Sequence, residues 1–204
     1  MKRIEICGGI ATGKTWLARS LSHYGPSQLV EERFREIPFW EKFYTATPQA
    51  RAKYEFQKNV SFLLFHAESI RDGEQSDSRD MVCDFAMFQD LAYAALSPDL
   101  HILESIYSRL IEQIGLPTAI IRLRCAPEIQ LERIRRRGRR PEQSIDRSYL
   151  DHLDQKIEER LGKLLEKHRI EVREIDTGTT DFVANAEAQK IAELAATLRA
   201  VEDA

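Results

Sequence analysis

The run from Gly8 to Thr15 reads GGIATGKT and fits the phosphate-loop pattern GxxxxGK[ST], with Gly8, Gly13, Lys14 and Thr15 in the fixed places. Glycine there lets the N–H groups of Gly8, Gly9, Ile10, Ala11, Thr12 and Gly13 wrap a polyphosphate. The following helix turns its positive end to the same anion, Lys14 reaches the outer phosphates, and Thr15 offers a hydroxyl to magnesium. A glycine turn with a coincidental Lys is the alternative, and context disfavours it. The apolar run Arg3 to Cys7 leads straight in, and Trp16, Leu17 and Leu21 begin an amphipathic helix straight out.

Nine arginines fall between Arg122 and Arg147: Arg122, Arg124, Arg133, Arg135, Arg136, Arg137, Arg139, Arg140 and Arg147. A solvated basic helix or a nucleic-acid patch is the plain reading. Placement favours another. Arg133 and Arg137 share a helical face, Gly138 breaks that helix, and Arg139 and Arg140 follow in a connection before Pro141. A hinged arginine segment beside a phosphate loop is expected to close over the transferring phosphoryl group, because guanidinium forks match phosphate oxygens and closure excludes water.

These residues need a scaffold, and short apolar runs alternating with helical patterns predict one: an α/β fold, an open parallel sheet covered by helices. Strands are expected at Arg3 to Cys7, Gln28 to Glu32, Met81 to Asp84, Ala119 to Arg124 and Ile170 to Asp176. Helices are expected at Phe39 to Tyr44, Ala50 to Arg71, Gln89 to Leu96, Asp99 to Ile114, Pro127 to Arg137, Ile145 to Lys167 and Asp181 to Arg199. Phe56, Val60, Leu63, Ala67 and Ile70 form the core stripe of the second of these. The polar stretch Asp72 to Asp80 reads as a surface loop.

With 204 residues, the chain is expected to form one domain, residues 1–204, that buries roughly 70% of its unfolded surface. Thirty basic against 33 acidic side chains leave a net charge of -3, which argues against coating nucleic acid or anionic lipid. Cys7, Cys83 and Cys125 are widely spaced and odd in number, disfavouring a disulfide framework or a zinc site. Glu5 interrupts the first apolar stretch, and no later run approaches the roughly 20 apolar residues of a membrane span. No membrane or nucleic-acid partner is expected, and the location expected is cytoplasmic.

Three further segments resemble the deoxynucleoside kinases of the phosphate-loop kinase superfamily. Arg133 to Leu153, RIRRRGRRPEQSIDRSYLDHL, is similar to that family's lid, RIxxRxRxxEQxIxxxYLxxL. Glu32 to Tyr44, ERFREIPFWEKFY, resembles EPVxxNPFLxxFY, and Asp84 to Ala94, DFAMFQDLAYA, resembles DRSxYxDxxFA. The resemblance implies a three-layer phosphate-loop kinase fold with a five-stranded parallel sheet and an arginine-rich lid at about residues 133–145. It implies an ATP- and magnesium-dependent enzyme that phosphorylates a nucleoside on its 5'-hydroxyl in salvage, and a homodimer.

The same resemblance implies roles. Glu32 matches the carboxylate that takes the proton of the attacking hydroxyl, with Glu31 its competitor. Tyr44 and Glu142 match the pair that binds the sugar 3'-hydroxyl; a half-buried core aromatic and a lid-helix acid are the alternatives. Asp84 and Thr15 match the magnesium ligands, and a helix-capping role is the alternative for Asp84. Lys14, Arg133, Arg137 and Arg139 would surround the γ-phosphate or the adenine, and Asp176 to Asp181 (DTGTTD) the adenine. Asn59 and His66, nearly two turns apart, match base-reading positions with Asp90, and Phe62, Phe85 or Phe88 are available to stack. His66 as a structural residue is the alternative, and as a base reader it would titrate near pH 6.5.

The chain departs from the pattern in three places: Phe85 and His66 stand where arginines are usual, and Arg33 replaces a proline after Glu32. Arg33 or Arg35 is a candidate to supply the lost charge. A kinase of nucleoside monophosphates or another small metabolite, and a nucleotide-binding regulator without catalysis, are the rival functions.

Overall fold

The computed structural model describes residues 2–25, 27–76, 80–139 and 142–178. The strands are β1 (Arg3–Gly8), β2 (Gln28–Val30), β3 (Met81–Cys83), β4 (Ala119–Arg124) and β5 (Glu171–Asp176). They form one parallel sheet in the order β2-β3-β1-β4-β5. The helices are α1 (Lys14–Tyr24), α2 (Trp40–Thr45), α3 (Pro48–Ser76), α4 (Gln89–Tyr93), α5 (Leu100–Ile114), α6 (Pro127–Arg137) and α7 (Arg147–Lys167).

Alternation along the strands sorts the core into two faces. Ile4 and Ile6 of β1, Val82 of β3, and Ala119, Ile121 and Leu123 of β4 pack on Leu17, Ala18 and Leu21 of α1. From the opposite face, Met81 and Cys83 meet Leu63, Ala67 and Ile70 of α3 and Leu103 of α5, while Cys7 and Ile120 meet Leu153, Ile157 and Leu161 of α7. Each large aliphatic side chain buried this way contributes about 1.5–3 kcal/mol. All three cysteines are free; Cys7 and Cys83 are buried in the sheet and Cys125 is half-buried just after β4.

Ions are buried where elements must be tied to the sheet. Arg3 pairs with Glu5 and donates to the carbonyls of Ile114 (2.8 Å) and Gly115 (2.6 Å), closing the end of α5, while Glu5 accepts from the Met87 amide at 3.0 Å. Arg122, fully buried on β4, donates to Asp154 of α7 and to the Leu123 carbonyl.

All five expected strands are present, but β2 and β3 end at Val30 and Cys83, short of Glu32 and Asp84. The reason is local: the Glu32 amide donates to the Asp84 carboxylate instead of to a neighbouring strand. The expected loop from Asp72 is helical through Ser76. Gly73 lets α3 run on close to the sheet: a Cβ there would lie 2.7 Å from Met81 Sδ and 3.1 Å from Val30 Cγ2, so a larger residue would have to displace both side chains. The expected helix over 181–199 lies outside the described residues.

Candidate active site

Strand β1 has β3 on one side and β4 on the other, and such a reversal of winding opens a crevice at the strands' carboxyl ends. There lies a cleft of about 1490 Å³, lined by Ile10 to Thr15, Glu32, Tyr44, Asn59, His66, Asp90 and, from α6, Arg133, Arg136 and Arg137. That volume exceeds the roughly 300–1,000 Å³ of a single small-molecule site, which leaves room for two substrates side by side.

The loop between β1 and α1 is shaped by its small residues. Gly13 precedes α1 at φ 99 and Ala11 sits at φ 60, both left-handed. A Cβ on Gly8 would lie 2.7 Å from Thr12 Oγ1 and 2.9 Å from the Leu123 carbonyl, so the turn needs its glycine. No acidic residue occupies the first turn of α1, which keeps its N-terminus open to an anion. Lys14 Nζ donates to the carbonyls of Gly8 (2.8 Å) and Gly9 (3.0 Å). Burial pulls its pKa below the usual lysine value, against the opposing carboxylates Glu32 and Asp84. Gln89 clasps the first glycine on both sides, accepting from the Gly8 amide at 2.8 Å and donating to its carbonyl at 3.1 Å. Sequence reading passed over Gln89, because a lone glutamine at a helix start carries no spacing signal.

Asp84 stands at the end of β3 and accepts hydrogen bonds from the Glu32 amide and the Thr15 hydroxyl. Burial nonetheless holds its carboxyl above the usual value. Thr15 and Asp84 thus bring a hydroxyl and a carboxylate together at the foot of the phosphate loop, the hard-oxygen donors that magnesium takes alongside substrate phosphates, so these residues fit the ion. Glu32 is placed in the cleft, with its side chain 30% exposed. Burial alone would raise its pKa, but His66, Lys14 and Arg139 outweigh burial and lower it. Glu31 is tied to Arg19 instead.

His66 lines the cleft but is almost wholly buried there. Its side chain is 1% exposed, with Nδ1 2.9 Å from Asp90 Oδ2 and Nε2 3.4 Å from Glu32 Oε1. Its ring stacks on Phe85 with centroids 3.9 Å apart and planes 7° from parallel. Burial opposes its charge, but Asp90 and Glu32 prevail and lift the pKa to about 10. The expected titration near pH 6.5 is therefore overturned: two carboxylates hold the ring protonated through neutral pH. Arg33 does not supply the missing charge, since it pairs with Glu36 and lies 5.5 Å from the Phe65 ring.

Of the other base-pocket residues, Asn59 is buried in the cleft wall with its Nδ2 unpartnered, and Phe62 lines the same wall. Phe88 packs with Cys7, Ala92 and Leu153 in the core, so it does not stack on a base there, and one face of Phe85 is taken by His66. Tyr44 lines the cleft and packs on Trp40. Lys58 is new to the site: buried, with Nζ 4.6 Å from the Phe43 ring centroid and 5.9 Å from that of Phe62. Its spacing was a usable signal, because Lys58, Phe62 and His66 are four residues apart on one face of α3.

The arginine segment divides. Arg122 and Arg124 bind Asp154 and Glu158 of α7, and Arg147 binds Glu128 and Asp151. These three are structural and do not belong to a lid. Helix α6 ends at Gly138 in the left-handed conformation (φ 62), whose amide caps the carbonyls of Ile134 and Arg135. Arg133 donates to the Thr177 carbonyl at 2.7 Å and hydroxyl at 3.2 Å, pinning α6 to the segment after β5. Arg137 and Arg139 both pair with Glu142, at 2.6 Å and 3.5 Å. Glu142 therefore faces guanidiniums here. Arg140 and residues 179–181 lie outside the described residues.

A phosphate loop at the end of β1, a parallel sheet of this order, and an acid and a basic helix end facing the loop define a phosphate-loop kinase. The chain matches the deoxynucleoside kinase family over residues 4–198 and belongs to it. It is 28% identical over 189 residues to a deoxyguanosine kinase of Bacillus subtilis, covering 89% of each chain. With a putative deoxynucleoside kinase of Frog virus 3 it shares 28% over 159 residues, covering 76% of this chain and 80% of that one. In fold it is similar to a deoxyadenosine kinase from M. mycoides solved with bound dCTP, with a TM-score of 0.70 at 18% identity over 99% of this chain and 100% of that one. The same enzyme with bound dATP gives 0.71 over 95% and 98%. The protein is accordingly an enzyme that phosphorylates deoxynucleosides, with ATP the donor typical of the family.

Proposed function

We propose that this enzyme transfers the γ-phosphoryl group of ATP to the 5'-hydroxyl of a deoxynucleoside, with Glu32 as the proton acceptor. The observation that carries the reading is Glu32 itself, tied through its amide to Asp84 and so to Thr15 of the phosphate loop. The 5'-oxygen forms a bond to the γ-phosphorus, the bond from that phosphorus to the β–γ bridging oxygen breaks, and Glu32 takes the hydroxyl proton. The products are a nucleoside 5'-monophosphate and ADP. Lys14 and the N-terminal amides of α1 bind the phosphates, and Arg137 and Arg139 exchange Glu142 for phosphate oxygens when the lid closes. Magnesium, held by Thr15 with Asp84, would supply charge neutralisation at those phosphates. Tyr44 and Glu142 take the sugar and Asn59 the base, in line with the family resemblance.

The regulator reading loses its main support, because the cation missing at two family positions is replaced by a protonated His66. We read residues 1–204 as one unit with its lid at about 133–145, acting in the cytoplasm as a homodimer on small molecules rather than nucleic acid. In support of small-molecule substrates over nucleic acid, Arg122, Arg124, Arg133, Arg137, Arg139 and Arg147 are all engaged within the fold. Sedimentation tests the dimer.

A panel of deoxynucleosides, ribonucleosides and monophosphates with radiolabelled ATP tests the function. Label should pass to deoxynucleosides, cease in Lys14→Ala, and fall in kcat by about 10²-fold or more in Glu32→Gln with nucleoside KM little changed. Transfer confined to monophosphates would replace this reading with the rival kinase.

A further inference from the structure

The His66 ring is held at Nδ1 by a hydrogen bond to Asp90 at 2.9 Å, while the buried Nε2 makes no hydrogen bond and lies 3.4 Å from Glu32 Oε1, at ion-pair distance. One ring face lies flat on Phe85 and an edge meets Phe62, 5.7 Å between centroids. The imidazole sits where α3 meets α4 and the segment after β2, beside the Glu32 carboxylate, which lines the cleft.

We propose that Asp90 and His66 form a positioning pair for Glu32, with Phe85 as the plate that fixes the plane of the ring. Asp90 holds Nδ1 and thereby sets the ring's rotation. Nε2 then meets Glu32 Oε1, which leaves Oε2 to face the acceptor hydroxyl. A buried cation at this point keeps the carboxylate from swinging towards Lys14, where it would neutralise the lysine meant for the phosphates. Substituting an arginine at position 85 would remove the plate under the imidazole, and a guanidinium at position 66 would not need one as strictly. Phe85 and His66 are therefore a matched pair: the two departures from the family pattern are one change. Asp90, with one oxygen occupied, is correspondingly withdrawn from base recognition, which passes to other residues of the cleft such as Asn59.

The proposal rests on Glu32 being the proton acceptor, and the experiment separates the two. Steady-state kinetics of His66→Gln, His66→Arg, Glu32→Gln and the double variant His66→Gln/Glu32→Gln are compared on a purine and a pyrimidine deoxynucleoside. His66→Gln is expected to lower kcat by about 10-fold or more on both substrates, with nucleoside KM within about 3-fold of wild type. His66→Arg, which keeps the cation and a planar group to stack, should recover most of kcat. The double variant should be no slower than Glu32→Gln, because the pair works only through that carboxylate. If His66→Gln does not fold, Asp90→Asn carries the same kcat and KM expectation. A base-dependent change in KM, or losses that multiply in the double variant, would overturn the proposal while leaving Glu32 as the base. A fully active Glu32→Gln would overturn both.

Discussion

Lys58 is an ammonium that the fold keeps out of water beside two aromatic rings. Contacts of that kind return about 0.5–2 kcal/mol, yet burial wins and lowers its pKa from 10.5 to about 8, with Glu55 and Asp90 pulling the other way. A base whose folded pKa is depressed costs stability wherever both states are protonated. That cost is present in full below pH 8 and is relieved as pH rises from about 8 to 10.5, where the unfolded chain binds the proton and the folded one does not. Lys58→Met should therefore raise Tm at pH 7, by an amount corresponding to a few kcal/mol at most, and the gain should shrink by pH 10. Tm measured across that range for both proteins checks the sign; a variant less stable at pH 7 would mean that the rings and acids outweigh burial. The retention of so costly a cation in the substrate cleft argues for a use there.

At the scale of elements, α3 shows what the sequence discloses and what it hides. Its stripe of Phe56, Val60, Leu63, Ala67 and Ile70 announced the helix, and Leu63, Ala67 and Ile70 indeed pack on the sheet. Its end was misread, because DGEQS is polar and contains glycine, the usual marks of a loop. The glycine there answers to the sheet rather than to a turn. Gly73→Ala discriminates the two influences: helix propensity alone would stabilise by about 1 kcal/mol, whereas the clash with the buried Met81 and Val30 should destabilise by about 1–3 kcal/mol. Denaturant unfolding should show the second. The phosphate loop was legible because its chemistry is local and its glycines are fixed in spacing. The His66 arrangement was not, since Glu32, His66 and the segment with Phe85 and Asp90 come from three separate places in the chain and only folding sets them face to face. The arginine cluster misled for the same reason: the acids that claim Arg122 and Arg124 lie some thirty residues further on, in α7.

For the molecule as a whole, the cleft joins both substrates to the stability of the sheet beneath it. ATP with magnesium at about 100 times its Kd should add about 2.7 kcal/mol, hence roughly 5–10 °C in Tm for a chain this long, and Lys14→Ala should lose most of the shift in the same scan. The three thiols make that linkage observable without any added label site. Cys7 and Cys83 lie in the two neighbouring strands β1 and β3, fully buried. Burial pushes the Cys7 thiol up to about 12 and Cys83 higher than its ordinary value as well. Neither presents an accessible thiolate. Cys125 is half-buried beside Arg133, where α6 is pinned to the segment after β5. A small thiol reagent should thus modify one cysteine quickly and the other two only on the clock of the sheet's opening. Saturating nucleotide should slow that second phase by the same factor that it adds to the folding equilibrium. Modification of all three at one rate would mean that the two central strands part without global unfolding.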